Sequence, residues 1–370
     1  MGVVSFNTFN GGQLRLARHY WGATLQDVAD AIGKTRQFAS QLEAGKAKPT
    51  IEDPIVQILA GKLKVVPGFF FKPSGRQIAE EQAHFRKLAT TKASTKQTVL
   101  ARGSVFDEVV EYIDKRVRLP IVDFPDYSGV ETAEEIERAA ERVRAHWDLG
   151  LGPISHMVRV VERAGAVVAF FRDASTEVDA LSITSRRPVI VRNDAKQSPF
   201  RQRFDIAHEL GHLVLHEGHV TGDRKTEGEA NRFASAFLLP RSTFLKVFPK
   251  RGSRLDWAGI RDLKLTFMVS KAAILYRAKS LGLLDDTQYK GAVISLRNRG
   301  EAVEEAEDSL VSKEEGEIIT QALQVLSNGH GISVQRLASD IGVTSEFLAE
   351  IIPLPNDVPI RARPELRVVK

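Results

Sequence analysis

Cysteine is absent from the 370 residues of this chain. That absence excludes disulfide bonds, thiolate zinc sites and cysteine-ligated iron–sulfur clusters, and it is typical of proteins of the reducing cytosol. The sequence also has no apolar run long enough to cross a bilayer, and its N-terminus has no basic segment followed by an apolar stretch. We therefore expect a cytoplasmic protein with no membrane partner.

Length and charge set the next limits. A chain of 370 residues is too long for a single compact core, so two or three domains are expected. Apolar residues make up 43% and charged residues 27%, which is ordinary for a soluble globular protein. The net charge of +5 permits a polyanionic partner without requiring one.

Two histidines occur at helical spacing in a stretch predicted to form an amphipathic helix, residues 204–216. His208 and His212 are four residues apart, so they point the same way and can share one zinc ion. Glu209 can then hold a metal-bound water and take its proton. This pattern predicts metal-assisted hydrolysis of a peptide bond. The alternative is a buried helix with two incidental histidines and a surface glutamate.

A site of this kind needs a third protein ligand, usually a carboxylate on a following helix. The spacing of apolar residues in 226–240 predicts that helix, which Pro240 would end. Glu227 and Glu229 are both candidates, and either alone could be a solvated first-turn residue. We favour Glu227 because it shares a helix face with Asn231, which is placed to hydrogen-bond a ligand histidine.

These two helices together resemble the ImmA/IrrE family of metallopeptidases. The resemblance rests on residues 208–212 and 227–240, and on the strand and lead-in at 188–193 and 201–204. One departure is Asp205, which stands where threonine is frequent in the family and puts an acid close to the site.

The resemblance implies roles for individual residues. His208, His212 and Glu227 would be the zinc ligands, and Glu209 the general base. Because ImmA/IrrE proteins cleave helix-turn-helix repressors, the resemblance also implies a repressor protein as the proteolytic substrate.

The N-terminal segment contains a second pattern. Thr24 is a predicted cap for a helix over residues 25–32, which Gly33 ends, and a short helix follows over 36–43. Two short helices joined by a tight turn form a helix-turn-helix, whose second helix enters the major groove of DNA. Residues 14–50 resemble the XRE (lambda-repressor-like) family, which implies double-stranded DNA as a partner. The alternative is a helical hairpin that contacts only protein.

Polar and basic side chains of this segment are the candidate DNA contacts. Those suited to base edges are Arg36, Gln37, Ser40 and Gln41, and those suited to phosphates are Arg15, Arg18, Lys34, Lys46 and Lys48. Phe38 would contact a thymine methyl group or pack inward.

Other histidines are expected to play smaller parts. His216, four residues after His212, would tune or shield the site, or be an ordinary partly buried histidine. His84, together with Arg86, is expected to be structural rather than catalytic.

The fold class that we predict is mainly α with a small β-sheet: an α+β, zincin-like peptidase domain, an N-terminal all-α domain and a helical C-terminal region. Strands are predicted at 165–171, 180–184 and 188–192, where an edge strand could hold an extended substrate. The acidic stretch 301–317 is expected to be a solvated linker or an exposed helix. The predicted divisions are an XRE-type domain (8–71), a helical linker (72–130), a metallopeptidase domain (131–248), its helical extension (249–300) and a small helix-turn-helix-like module (312–352).

Three functional hypotheses follow. The first is a DNA-binding transcription regulator with zinc-dependent endopeptidase activity that cleaves a repressor. The second is a regulator whose peptidase-like domain is a sensor or scaffold. The third is a protease that cuts itself or a twin chain after a signal such as single-stranded DNA. A homodimer is also expected, because many helix-turn-helix proteins dimerise to match palindromic sites.

Overall fold

The structure is a computed structural model that describes residues 8–85, 92–171, 180–192, 198–219, 221–251 and 254–353. Within these ranges the chain forms sixteen α-helices and one four-stranded mixed sheet, which confirms the predicted fold class. No helix in the described ranges is long and apolar enough to span a membrane.

Four short helices open the chain, and a long helix follows a three-residue strand. The bounds are α1 Gly11–Tyr20, α2 Leu25–Ala31, α3 Arg36–Glu43, α4 Pro54–Leu63, β1 Ala83–Phe85 and α5 Ala93–Asp114. Side-chain caps at Thr24, Thr35 and Asp53 begin α2, α3 and α4, since each accepts a hydrogen bond from a first-turn N–H.

The middle of the chain alternates helices with the remaining sheet strands. The bounds are α6 Ala133–His146, α7 Met157–Arg163, β2 Val167–Phe170, β3 Ala180–Ile183, β4 Val189–Arg192, α8 Pro199–Leu215, α9 Arg224–Leu238 and α10 Arg241–Val247. The strand order is β1-β3-β4-β2, with β2 parallel to β4 and the other pairs antiparallel. Strands were expected where β2, β3 and β4 lie, whereas β1 is too short to show a periodic pattern.

The last third is helical apart from a small hairpin. The bounds are β5 Lys250–Arg251, β6 Arg254–Leu255, α11 Trp257–Phe267, α12 Lys271–Ser280, α13 Asp286–Asn298, α14 Ile318–His330, α15 Val334–Ile341 and α16 Ser345–Leu348. Residues 354–370 lie outside the described residues.

The four-stranded sheet separates two hydrophobic cores. Val167 and Val189 belong to the core that contains α1–α5 and α14–α16, whereas Val168 and Ile190 belong to the core that contains α6–α13. This division follows from the alternation of side chains along a strand. The sheet is therefore the layer that joins the two halves of the molecule.

The C-terminal helices pack against the N-terminal ones. The Phe347 ring stacks on the Tyr20 ring with centroids 3.7 Å apart, and the Tyr20 hydroxyl donates to the Phe347 carbonyl at 2.6 Å. Val65, just after α4, forms an isolated antiparallel bridge with Val343. The two ends of the described chain thus share one core.

The acidic stretch 301–317 departs from its expected exposure. Glu305 and Asp308 are 2% and 5% exposed, and each accepts a hydrogen bond of 2.6 Å from the fully buried Lys264 ammonium. The expectation of a solvated linker is therefore wrong for this part. Charge pattern alone could not show that a lysine on α11 would be buried opposite these acids.

Candidate metal centre

Two packed helices, α8 and α9, position the candidate site. Helix α8 begins after Ser198, whose side chain accepts a hydrogen bond from the Arg201 N–H, and Asp223 caps α9 in the same way. A Cβ on Gly211 would lie 3.1 Å from the Ala230 Cα. Because glycine has no Cβ, α8 and α9 can pack closely at this point.

This packing brings three candidate ligands together. The His208 and His212 Nε2 atoms are 3.1 Å apart, and each lies 3.3 Å from an oxygen of Glu227. Ligand atoms placed 2.0–2.1 Å from a tetrahedral zinc ion are roughly 3.3 Å from one another. Two imidazole nitrogens and one carboxylate oxygen are also a donor set that catalytic zinc sites use. The group therefore fits zinc in both chemistry and spacing.

The protonation states suit metal binding as well. Burial lowers the pKa of His212 to about 3, so its ring is neutral at pH 7. Burial alone would raise the pKa of Glu227, but the hydrogen bonds and charges of His208 and His212 lower it to about 2. A metal binds a neutral imidazole and an ionised carboxylate, and His212 and Glu227 supply these two forms.

Glu209 lies on α8 between the two histidines in sequence and is fully buried. Its Oε2 accepts a hydrogen bond of 2.8 Å from the hydroxyl of Ser182, which is on β3 and is also fully buried. The sheet therefore orients the candidate general base. Sequence reasoning missed Ser182, because a single serine in a short strand carries no recognisable signal.

The other ring nitrogens of the two histidines also have partners. His208 Nδ1 lies 3.0 Å from Asn231 Oδ1, the contact that the sequence suggests for this asparagine. His212 Nδ1 lies 3.0 Å from His216 Nδ1, and Glu229 contacts His216 rather than the ligand group. The structure thus places Glu227, and not Glu229, beside the histidine pair.

His84 reaches the site from β1, at the edge of the sheet. Its ring stacks on that of His212 with centroids 5.5 Å apart, and its two nitrogens lie 2.9 and 3.2 Å from the hydroxyl oxygens of Thr221 and Thr184. Burial lowers the pKa of His84 to about 4. Arg86, two residues further along the chain, lies outside the described residues.

The site lies within a segment that matches a known family model. Residues 161–279 match Peptidase_M78, the IrrE N-terminal-like domain. This match supports the metallopeptidase part of the resemblance, and it indicates a metallopeptidase-type function for this segment. The segment runs from α7 into α12 and contains all three candidate ligands. No curated protein matches the chain.

A cavity of about 310 Å³ lies beside the site. It is lined by side chains of α8, α9 and α12 together with the residue before α12, namely Arg201, Phe204, Asp205, Asn231, Ser270, Ala273 and Tyr276. Asp205, the departure from the family pattern, therefore contributes a carboxyl group to a cavity next to the asparagine that contacts His208.

The candidate DNA-contact residues lie apart from this centre, on and around α3. Lys34, Arg36, Gln37, Ser40 and Lys46 are exposed, and Gln41 is half-buried. Phe38 packs against the core, so it points inward.

One candidate phosphate contact is wrong. Arg18 is only 9% exposed, and its guanidinium donates to the Glu43 carboxylate at 2.5 and 3.0 Å. This arginine joins α1 to the end of α3 inside the domain, and the sequence could not show that Glu43 would lie opposite it.

Proposed function

We propose that this protein is a cytoplasmic, DNA-binding transcription regulator with zinc-dependent endopeptidase activity, and that it cleaves a helix-turn-helix repressor. The observation that carries the proposal is the convergence of His208, His212 and Glu227 on one point beside Glu209. The exposed polar face of α3 supports the DNA-binding part, with double-stranded DNA as the partner.

Each side chain of the site has a role in peptide hydrolysis. Zinc bound by His208, His212 and Glu227 would supply a Lewis acid for the scissile carbonyl and lower the pKa of a water. Glu209 accepts the proton of the attacking water and passes it to the leaving amine. Ser182 holds one oxygen of Glu209 in place, so the base is oriented before substrate arrives.

A second function is favoured by the burial of the site. His208, Glu209 and His212 are fully buried, and only the side chain of Glu227 is partly exposed, at 16%. A closed site would suit a regulator whose peptidase-like domain is a sensor or scaffold. It would equally suit a protease that opens on a signal, for which single-stranded DNA is our candidate.

The test is to incubate the zinc-loaded full chain with helix-turn-helix proteins encoded beside it, with and without single-stranded DNA, and to identify fragments by mass spectrometry. We expect fragments of one repressor with the wild type and none with Glu209→Gln. Fragments of the chain itself would instead indicate self-cleavage. If no protein is cut, while reporter control survives zinc removal and Glu209→Gln, the scaffold function is correct.

A further inference from the structure

The two candidate zinc histidines differ in what contacts Nδ1, the ring nitrogen that does not face the proposed metal position. His208 Nδ1 meets the neutral amide oxygen of Asn231 at 3.0 Å. His212 Nδ1 meets His216 Nδ1 at 3.0 Å, and His216 Nε2 meets Glu229 Oε2 at 2.9 Å. The contacts of His208 Nδ1 therefore end at an amide, whereas those of His212 Nδ1 lead through His216 to a carboxylate.

The direction of these hydrogen bonds follows from the chemistry of imidazole. A neutral ring carries one hydrogen, on one of its two nitrogens. If His212 offers the Nε2 lone pair to a metal, its hydrogen is on Nδ1 and is donated to His216 Nδ1. His216 then carries its hydrogen on Nε2 and donates it to Glu229, which as a carboxylate only accepts. Each contact then has one donor and one acceptor, so a single placement of the ring hydrogens satisfies all of these hydrogen bonds.

The hydrogen-bonded contacts from His212 through His216 to Glu229 lie in the protein interior. His216 is 5% exposed and follows α8 directly, and the Glu229 side chain, on α9, is 14% exposed. Lys225 pairs with Glu229 at 3.9 Å, and the lysine side chain is 71% exposed. Water screens that lysine, so the charge of Glu229 acts chiefly on His216.

We propose that His216 and Glu229 are positioning residues that fix the tautomer and ring orientation of His212. A carboxylate behind a ligand histidine also raises the electron density on its metal-facing nitrogen. His212 is therefore the stronger of the two histidine ligands, and its strength depends on a carboxylate that does not touch the metal. This inference rests on the proposed zinc site and extends it by two residues.

The test uses the full chain with Glu229→Gln, which keeps a hydrogen-bonding side chain of the same size but removes the charge. Zinc affinity is measured by competition with a chromophoric chelator, and Co²⁺ is substituted to record its visible absorption bands. We expect zinc binding to weaken about 10- to 100-fold and the Co²⁺ bands to shift. Glu229→Asp keeps the charge and should lose less affinity than Glu229→Gln.

Lys225→Ala is the matched control, because it removes the exposed neighbour of Glu229 and should leave both readouts unchanged. His216→Gln breaks the same chain of contacts at a second position and serves if Glu229→Gln does not fold; it should weaken zinc binding in the same direction. Wild-type affinity and an unchanged Co²⁺ spectrum in a folded variant would overturn the proposal. A wild-type chain that binds no zinc would instead refute the zinc site itself.

Discussion

The candidate metal centre and the outer face of α3 differ in how their polar side chains are satisfied. At the centre, His208, Glu209 and His212 are fully buried, and each contacts another polar group of the same chain. On α3, Arg36 and Gln37 are exposed to solvent. Buried polar groups must find partners within the fold, so their geometry indicates their chemistry. Polar groups on an exposed face are satisfied by water or by a binding partner, so their geometry in the protein alone indicates less about their chemistry.

The two regions should also differ in how strongly the effects of their substitutions are coupled in free energy. Groups in mutual contact couple strongly, whereas separated surface groups contribute almost independently. Single substitutions should therefore have large effects at the centre and smaller, additive effects on α3.

The largest effect is expected for Glu209→Gln. The amide cannot accept a proton, so the cleavage rate should fall by about 100- to 10,000-fold, while zinc content stays the same. Ser182→Ala removes only the hydrogen bond that orients Glu209 and should cost roughly tenfold. Steady-state kinetics with metal analysis of the same samples measures both. A Glu209→Gln rate within tenfold of the wild type would contradict the assigned role.

The second largest effect is on stability, and it concerns the contact between the two halves of the molecule. Glu162, on α7, accepts hydrogen bonds from the backbone N–H groups of Glu317 and Ile318 at the start of α14. Burial raises the pKa of Glu162 to about 8. Between pH 4.5 and 8 the folded chain keeps a proton that the unfolded chain releases, so the stability from this group is lost as pH rises.

Glu162→Gln removes this titration and should stabilise the fold at pH 8 by on the order of 3 kcal/mol relative to its effect at pH 5. Urea unfolding of both proteins at the two pH values measures the difference. An identical pH dependence in wild type and variant would show that the carboxyl is ionised in the folded protein.

A smaller effect is expected for Arg36→Ala or Gln37→Ala on α3. Loss of one base contact should weaken binding to the operator by about 1–3 kcal/mol and relax specificity at one base pair. Thr287→Ala, an exposed change on α13, is the control and should leave affinity unchanged. Fluorescence anisotropy with labelled operator DNA measures all three. Equal losses on operator and random DNA would contradict base reading by α3.

The smallest effect is expected for Lys34→Ala and Lys46→Ala. A phosphate contact is worth about one unit in the slope of log affinity against log salt concentration. Each substitution should reduce that slope by about one, and the double variant by about two. A double variant with the wild-type slope would place the DNA elsewhere on the molecule.

The parts of the site that sequence reasoning found are local in the chain. His208, Glu209 and His212 lie within about one helical turn, and the four-residue spacing alone placed the two histidines on one face. Ser182 and His84 come from short strands distant in sequence, so only the folded sheet shows that they reach α8. The same limit explains the error at Arg18, whose partner lies on another helix.

The central claim is that His208, His212 and Glu227 bind one zinc ion. X-ray absorption at the zinc edge of the full chain, loaded with one equivalent of zinc, tests it most directly. We predict a nitrogen and oxygen shell at roughly 2.0–2.1 Å with the scattering of two imidazoles, reduced to one imidazole in His212→Ala. A chain that retains no zinc, or an imidazole signal unchanged by His212→Ala, would contradict the claim.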